Sequence, residues 1–435
     1  MLTAYIHATV LDGTKDMKEI PDATVLVENG KICSVEKNGF VPNKCKKIDL
    51  NGKYMMPGLI NAHCHLPGNG KPQTIGDSTA KIIRNQLKSP IGRAIMKQIS
   101  AKSAKTELLS GTTTIRTVGG LSDFDAQIRD EIIKGQRIGA RIIASNTAIS
   151  VPGGHMAGTL AYISHSKQEA VELVDKIAKG KPNLIKLMIT GGTLDIKNIG
   201  DEKIVLMSPE QIYAACKEAH LLGFLVAAHV QGTAGIRVAV ENGVDTIEHG
   251  GDLDDDLLML LKKKGTALVS TITVIAAMAC LPTQLSGLST LYHESCRTFF
   301  KEVIAGYKKA VDAGITIGMG MDNGSPLITQ YSTWRELDFF TRYIGTSPEF
   351  AIYTATLGNA KILGMEDRIG SIEPGKYADF LIVNSDPRKN FEVLATPYRV
   401  VKEGKIYKPR FRRYKKYDDL LDKVKEYDKE FIYQR

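Results

Sequence analysis

Eight short apolar or β-branched runs, each followed by a segment with helical patterning, constrain the fold of this chain more than any other feature of its sequence. Alternation of buried strands with helices is typical of parallel βα units. The runs are GLINAH (58–63), TTTIRTV (112–118), RIIASN (141–146), NLIKLMI (183–189), LVAAH (225–229), DTIEH (245–249), TALVST (266–271) and TIGMGM (316–321). They predict an α/β fold, the (β/α)8 TIM barrel. A doubly wound sheet is the alternative, but no run leads into a G-x-G-x-x-G turn or a P-loop.

The two ends of the chain have strand patterns of a different kind. Near the N-terminus, ATVLVE and KICSVE flank Asn29-Gly30, which indicates a hairpin because both residues tolerate positive φ. Near the C-terminus, SIEPGKYADFLIV and RVVKEGKIYK are separated by turn residues. Neither end is long enough to form a good core alone. We therefore expect residues 1–56 and 366–435 to form a small β-sandwich with a basic C-terminal tail, and residues 57–365 to form the barrel.

The positive charge of the chain is concentrated near its C-terminus. The 435 residues carry a net charge of +9, of which +6 lies between Arg399 and the end. The rest of the chain is nearly neutral, so we expect no nucleic-acid partner. The basic run KIYKPRFRRYKKY (405–417) and the mixed-charge, helix-like DDLLDKVKEYDKEF that follows it are expected to be a solvated terminal arm or an oligomer contact.

Hydropathy and cysteine usage indicate the compartment. No apolar stretch reaches the roughly 20 residues that span a bilayer, and the N-terminus has neither the basic nor the apolar region of a secretory signal. The six Cys include no Cys-x-x-Cys pair and have no regular spacing, which suits reduced thiols. We expect a cytoplasmic protein without membrane association.

Metal-compatible side chains occupy the carboxyl ends of the predicted strands, where a (β/α)8 barrel holds its active site. In chain order they are His63, His65, His229, His249 and Asp322. A single histidine at a strand end is more often a structural residue. Four imidazoles and a carboxylate that the barrel brings together independently form an N/O ligand set suited to zinc.

Lys186 is the unusual member of these strand residues, because it interrupts the otherwise apolar run NLIKLMI. An ammonium group buried without a partner beside a divalent ion would incur both desolvation and repulsion. Lys186 therefore either points outward from the barrel or carries an anionic modification.

Six motifs together carry a family resemblance. They are PGLINAHCH, the lysine of LIKLMITGG, AAHVQGTAGI, DTIEHGG, GMDNG and GSIEPGKYADF. In combination they resemble the amidohydrolase superfamily, in particular its imidazolonepropionase-like and prolidase-like (Xaa-Pro dipeptidase-type) branch. The resemblance extends from about Gly52 to Val383 and leaves the basic tail outside.

The resemblance implies two divalent metal ions, and zinc is the expected metal. By position, His63, His65 and Asp322 correspond to ligands of the first ion. His229 and His249 correspond to ligands of the second. Lys186 corresponds to a carboxylated lysine that bridges both ions, and carboxylation would remove its positive charge.

The chain departs from the family pattern after His229. Mononuclear deaminases of the superfamily usually have a Glu three residues after this histidine, where this chain has Gly232, so ring deamination is disfavoured. Some dipeptidases have a Tyr just after this histidine that helps to hold a substrate carboxylate, and Gln231 is the nearest polar candidate here. His155 resembles the family's substrate-binding imidazole, with an exposed loop histidine as the alternative. Arg116 is expected to tie the barrel together rather than to clamp a substrate.

These observations predict a metal-dependent hydrolase that cleaves an amide bond of a small molecule through a metal-bridging hydroxide. Asp322 is the expected catalytic base. A dipeptide or an N-acyl amino acid is the expected substrate, and we expect a homo-oligomer. The alternatives are a mononuclear cyclic-amide hydrolase or deaminase, in which Lys186 is structural, and a non-catalytic binding barrel.

Overall fold

The computed structural model describes residues 2–70 and 77–432. The strands of this part of the chain are β1 Thr3–Leu11, β2 Glu19–Glu28, β3 Lys31–Lys37, β4 Lys46–Asp49, β5 Tyr54–Pro57, β6 Leu59–Cys64, β7 Thr112–Thr117, β8 Arg141–Ile143, β9 Ala148–Ser150, β10 Ala161–Ile163, β11 Leu184–Met188, β12 Leu225–Gln231, β13 Thr246–Gly250, β14 Ala267–Ser270, β15 Ile317–Met319, β16 Phe380–Val383, β17 Arg399–Lys402 and β18 Lys405–Tyr407.

The α-helices of the same part are α1 Asp77–Lys88, α2 Pro90–Leu109, α3 Phe124–Ile133, α4 Lys167–Ala178, α5 Pro209–Leu221, α6 Thr233–Glu241, α7 Asp255–Lys264, α8 Ile272–Cys280, α9 Thr283–Ser286, α10 Thr290–Asp312, α11 Trp334–Ile344, α12 Pro348–Tyr353, α13 Asn359–Ile362, α14 Lys415–Tyr427 and α15 Lys429–Ile432. No helix in the described ranges is both long and apolar enough to cross a membrane.

The middle of the chain forms the predicted barrel. Strands β6, β7 and β8 pair in parallel, as do β9, β11, β12, β13, β14 and β15. A parallel bridge between Cys64 and Asn323 joins the two edges. The third predicted strand is interrupted after β8, where Asn146 has a φ of 61°, and continues as β9. All eight predicted runs thus supply strands, and the (β/α)8 prediction is confirmed.

Strands from both chain ends form one mixed sheet with the order β18-β17-β16-β5-β1-β2-β3, and β4 also pairs with β1. The two ends meet where β5 pairs antiparallel with β16. Tyr5 and Phe380 are fully buried and lie edge to face in a core separate from that of the barrel. The predicted β-unit built from both ends is confirmed, and the exact residue boundaries between the two units stay a prediction.

The C-terminal segment does not form the solvated arm that its charge suggests. Its helix α14 buries Leu420, Leu421 and Val424 in the main core, and Phe431 of α15 packs 4.9 Å from the ring of Phe300. Lys415, Lys416 and Lys423 of α14 are exposed, so the segment packs through its apolar side chains while these lysines stay solvated. The expectation of a solvated arm is therefore wrong for residues 418–432.

Candidate metal centre

The structure brings every predicted site residue to one cavity at the carboxyl ends of the barrel strands. The cavity is lined by His63, His65, His155, Lys186, His229, Gln231, His249 and Asp322, together with apolar side chains. His155 is half-buried and lines this cavity.

Asp322 lies among the histidines. Its Oδ1 atom is 3.3 Å from Nε2 of His65 and 3.6 Å from Nε2 of His63. Ligand atoms of His63, His249 and Asp322 lie within 4.8 Å of one another. Two ligands that share a tetrahedral zinc ion are about 3.4 Å apart, given metal–ligand bonds of about 2.0–2.1 Å. The observed separations fit a bound metal ion.

Two of the imidazoles are oriented by backbone carbonyls. Nδ1 of His65 donates to the carbonyl of Gly119 at 2.8 Å, and Nε2 of His229 donates to the carbonyl of Gly191 at 2.7 Å. A carbonyl only accepts, so each of these nitrogens carries the proton. The other nitrogen of each neutral ring then keeps its lone pair, which is the form that binds a metal ion.

The other two imidazoles are oriented by side chains. Nδ1 of His63 donates to Oε2 of Glu248 at 2.7 Å, and Nδ1 of His249 lies 2.8 Å from Oγ1 of Thr271. Each of the four predicted histidine ligands thus has one nitrogen in a hydrogen bond to a group outside the predicted ligand set, and the second nitrogen of His65 contacts Asp322. This is the usual arrangement around protein-bound metal ions.

Electrostatics favour the same protonation states at His63, His229, His249 and Asp322, whereas at His65 the contact with Asp322 favours the protonated ring. Burial lowers the pKa of His63 to about 4 and lowers the pKa values of His229 and His249 well below the ordinary value. For His65, burial has the opposite sign to the hydrogen bond with Asp322, and the carboxylate raises the pKa overall. Burial raises the pKa of Asp322, but the neighbouring histidines outweigh it and lower the pKa. Neutral imidazoles and an ionised carboxylate are what a divalent ion requires.

Lys186 points into the cavity from β11 and is only 1% exposed, so the outward-pointing alternative is excluded. Among the described residues its Nζ has no hydrogen-bond partner. Burial lowers the pKa of this amine to about 7. An orphaned amine with a depressed pKa fits an anionic carbamate at this position better than a structural ammonium group.

The backbone turns two of the predicted ligands toward the cavity. Along β13, Thr246 and Glu248 share one face, and the hydroxyl of Thr246 donates to Oε1 of Glu248 at 2.7 Å. Strict alternation would place His249 on the opposite face with Ile247. His249 instead has a φ of 72°, and Asp322 has a φ of 52°. Such positive φ values in residues other than glycine are uncommon and concentrate at functional sites.

Glu248 is a functional candidate that the sequence reasoning missed. Its second oxygen accepts a hydrogen bond from Nη2 of Arg116 at 2.7 Å, and both residues are buried. Burial raises the pKa of Glu248, but the charge of Arg116 and the contact with His63 outweigh burial, so the pKa lies below its ordinary value. Arg116 also donates to the carbonyl of Ala62 at 2.6 Å, which supports its predicted role in tying strands together. Arg116 and Glu248 each interrupt an otherwise uncharged stretch, TTTIRTV and TIEHGG, and this could have indicated from the sequence that they pair inside the barrel.

His155 and Gln231 also line this cavity. The ring of His155 stacks on that of His229 with centroids 4.2 Å apart, and its Nδ1 hydrogen-bonds Asp195 from the loop after β11. Gln231 is 5% exposed, and its Oε1 has no hydrogen-bond partner within the described part of the chain. A buried amide oxygen without a partner is available to a ligand donor.

Several known proteins resemble this chain along most of its length. Ochratoxinase of Aspergillus niger is 24% identical over 427 residues, which cover 90% of this chain and 84% of that protein. Imidazolonepropionase of Symbiobacterium thermophilum is 22% identical over 431 residues, which cover 90% of this chain and 91% of that protein.

Solved structures are also similar. A proposed prolidase from Bifidobacterium longum is 33% identical, with a TM-score of 0.85 and coverage of 98% of this chain and 99% of that one. A Xaa-Pro dipeptidase with methionine bound in its active site is 25% identical, with a TM-score of 0.80 and coverage of 94% of this chain and 100% of that one. The model of the amidohydrolase family matches residues 54–407. The predicted resemblance is confirmed, and the chain belongs to the amidohydrolase family.

Proposed function

We propose that this enzyme hydrolyses an amide bond of a small molecule at a metal centre that its barrel strands build. One observation carries the proposal. Each of the four imidazoles, His63, His65, His229 and His249, has one ring nitrogen held by a hydrogen bond to a group other than Asp322, and all four rings line one cavity with that carboxylate. A barrel that only bound partners would have no need for such oriented imidazoles.

The donor set fits two divalent ions, and zinc suits its mixture of nitrogen and oxygen ligands. His63, His65 and Asp322 would hold one ion, and His229 and His249 the other. Lys186 would hold both as a carbamate, formed when its neutral amine adds carbon dioxide and releases a proton.

The ions would supply Lewis acidity that lowers the pKa of water and polarises the amide carbonyl. Asp322 would accept the proton of the attacking water and deliver it to the departing nitrogen. His155 and Gln231 line the same cavity and would orient the substrate through hydrogen bonds. Proton transfer by Asp322 and substrate orientation by His155 and Gln231 thus require only side chains that line the cavity.

A dipeptide or an N-acyl amino acid is the substrate class that we favour. The similarity to a Xaa-Pro dipeptidase and to ochratoxinase supports this choice. Gly232 stands where superfamily deaminases have a Glu, which disfavours ring deamination. We further propose a cytoplasmic homo-oligomer, with unit boundaries at residues 56/57 and 365/366.

Metal removal tests the proposal. Chelation should abolish hydrolysis of N-acyl amino acids, and zinc should restore it with two ions per chain by elemental analysis.

If Lys186 is a carbamate, reactivation of the apoprotein should be faster with bicarbonate present. Lys186→Ala should be inactive and partly rescued by a short carboxylic acid. Two bound ions and normal turnover in Lys186→Ala without added acid would contradict the bridge.

A further inference from the structure

One side of the candidate metal centre is apolar. It consists of side chains from α8 and α10 that line the same cavity as the histidines, and we call them the apolar wall: Val274, Ile275, Met278, Phe299 and Val303. On α8 the three positions share one helical face, and on α10 the two positions are four residues apart. Both helices therefore present a continuous face to the cavity.

The apolar wall is held rigidly from behind. All nine residues of α8 are buried. The carboxylate of Glu336 on α11 accepts hydrogen bonds from the backbone amides of Ile272 and Thr273 at 2.7 and 2.8 Å. A carboxylate at a helix N-terminus satisfies amides that the helix itself leaves unpaired. The position of α8 is thus set by a buried polar contact as well as by packing.

The candidate metal ligands give the same cavity a polar part beside this apolar lining. His63, His65, His249 and Asp322 form its polar side, and their hydrogen bonds are described above. Small-molecule sites are commonly apolar with few polar groups that fix orientation. A ligand that covers these apolar side chains removes them from water, which favours its binding.

We infer that the apolar wall receives a bulky apolar group of the substrate, aromatic or branched aliphatic, beside the scissile amide. The inference rests on the proposed function and narrows its substrate class. Met278 and Phe299 then determine specificity, because the thioether adapts to varied shapes and the ring offers a large flat contact.

Two substrate series test the inference on the zinc-replete enzyme. One varies the acyl group of N-acylglycines from acetyl to isovaleryl to benzoyl, and the other varies the amino acid of N-acetyl derivatives from Gly to Leu to Phe. In at least one series kcat/KM should rise about tenfold or more from the small to the large group. Met278→Gln keeps the volume but adds a buried polar group, and should reduce this ratio about tenfold. Met259→Gln is the matched control, since Met259 on α7 is 61% exposed.

Equilibrium binding separates this inference from the proposed function. Benzoate and acetate share a carboxylate but differ in their apolar group, so calorimetry should show about tenfold tighter binding of benzoate, with the difference reduced in Met278→Gln. Phe299→Leu serves as a second variant if Met278→Gln does not fold. Equal binding of both acids, or a preference that neither variant changes, would overturn the inference. Retained benzoate preference without hydrolysis of any amide would instead contradict the proposed function alone.

Discussion

Among single residues, Glu248 stands out because it joins a candidate metal ligand to a buried arginine. Its carboxylate contacts Nδ1 of His63 and Nη2 of Arg116, each at 2.7 Å. The first contact fixes which nitrogen of His63 carries the proton and therefore which one is available to a metal ion. The second compensates the charge of Glu248 within the barrel. Glu248 thus acts through His63 as a positioning residue.

Replacing Glu248 with Gln tests this role. An amide is a weaker acceptor than a carboxylate and leaves Arg116 without its charge partner, so His63 should be less well oriented. We expect zinc affinity to fall roughly 10- to 100-fold, measured by competition with a chromogenic chelator. The exposed variant Glu294→Gln is the control. Unchanged affinity in Glu248→Gln would remove Glu248 from the support of the centre.

Among elements, the contact between α11 and α14 determines where the C-terminal segment packs. Three ion pairs join the two segments: Arg335 with Asp422 at 2.6 Å, Asp338 with Lys425 at 2.5 Å, and Arg342 with Asp428 at 2.6 Å. The signs alternate along both partners, so a shift of one turn would bring like charges together. The terminal helix also contacts α8, whose other face carries the apolar wall.

The pair of Arg335 and Asp422 gives a direct stability test. Arg335 is 2% exposed, so Asp422→Asn leaves a buried guanidinium without its carboxylate. We expect the free energy of unfolding to fall by about 2 kcal/mol in urea denaturation, less than for a fully buried pair because Asp422 itself is exposed. Asp419→Asn on the same helix breaks only the exposed pair with Lys415 and should leave the free energy of unfolding nearly unchanged. Equal losses of unfolding free energy in both variants would show that the ion pair of Arg335 and Asp422 does not stabilise the C-terminal segment.

For the whole molecule, the placement of positive charge is the feature with a functional consequence. The ring of Phe411 lies 5.5 Å from that of Tyr331, and the backbone amide of Tyr414 donates to the Tyr331 hydroxyl at 2.8 Å. The neighbouring Gln330 donates to the backbone carbonyl of His65 at 2.9 Å. The basic run therefore lies beside the loops of the candidate metal centre, with Lys408, Arg410 and Arg412 exposed.

This placement should accelerate the capture of anionic substrates. Charges near a cleft steer oppositely charged ligands, and salt screens the effect over about 8–10 Å. We expect kcat/KM for an N-acetyl amino acid to fall several-fold as ionic strength rises from about 20 to about 200 mM. A neutral N-acetyl amide should change little. Replacing Lys408, Arg410 and Arg412 by Gln should flatten the salt dependence.

The end of α7 supplies the control for this experiment. Lys262, Lys263 and Lys264 are exposed and precede β14, so they lie at the opposite, amino-terminal face of the barrel. Replacing these three by Gln removes the same charge without altering the field at the cavity. If both triple variants lowered the salt dependence equally, net charge and not its placement would be responsible.

The sequence determined the barrel and the identity of the candidate ligands because both depend on local patterns. Apolar runs and the helical segments between them report strands and helices through periods of two and 3.6 residues. The barrel topology then places the last residue of each strand at one face, so His63, His229 and Asp322 could be grouped without coordinates. The family motifs added the expected function of Lys186.

Only the tertiary structure decided how these residues are aimed and what surrounds them. The positive φ of His249 breaks the alternation that its sequence predicts, and this backbone turn is stable only within the surrounding barrel. Arg335 and Asp422 are 87 residues apart, so no local pattern reports their pairing. The apolar wall likewise combines side chains of α8 and α10, and the sequence of each helix has only the hydropathy pattern of an ordinary buried helix. Such contacts depend on which apolar faces meet in the folded chain, and a one-dimensional pattern of hydropathy and charge does not specify that.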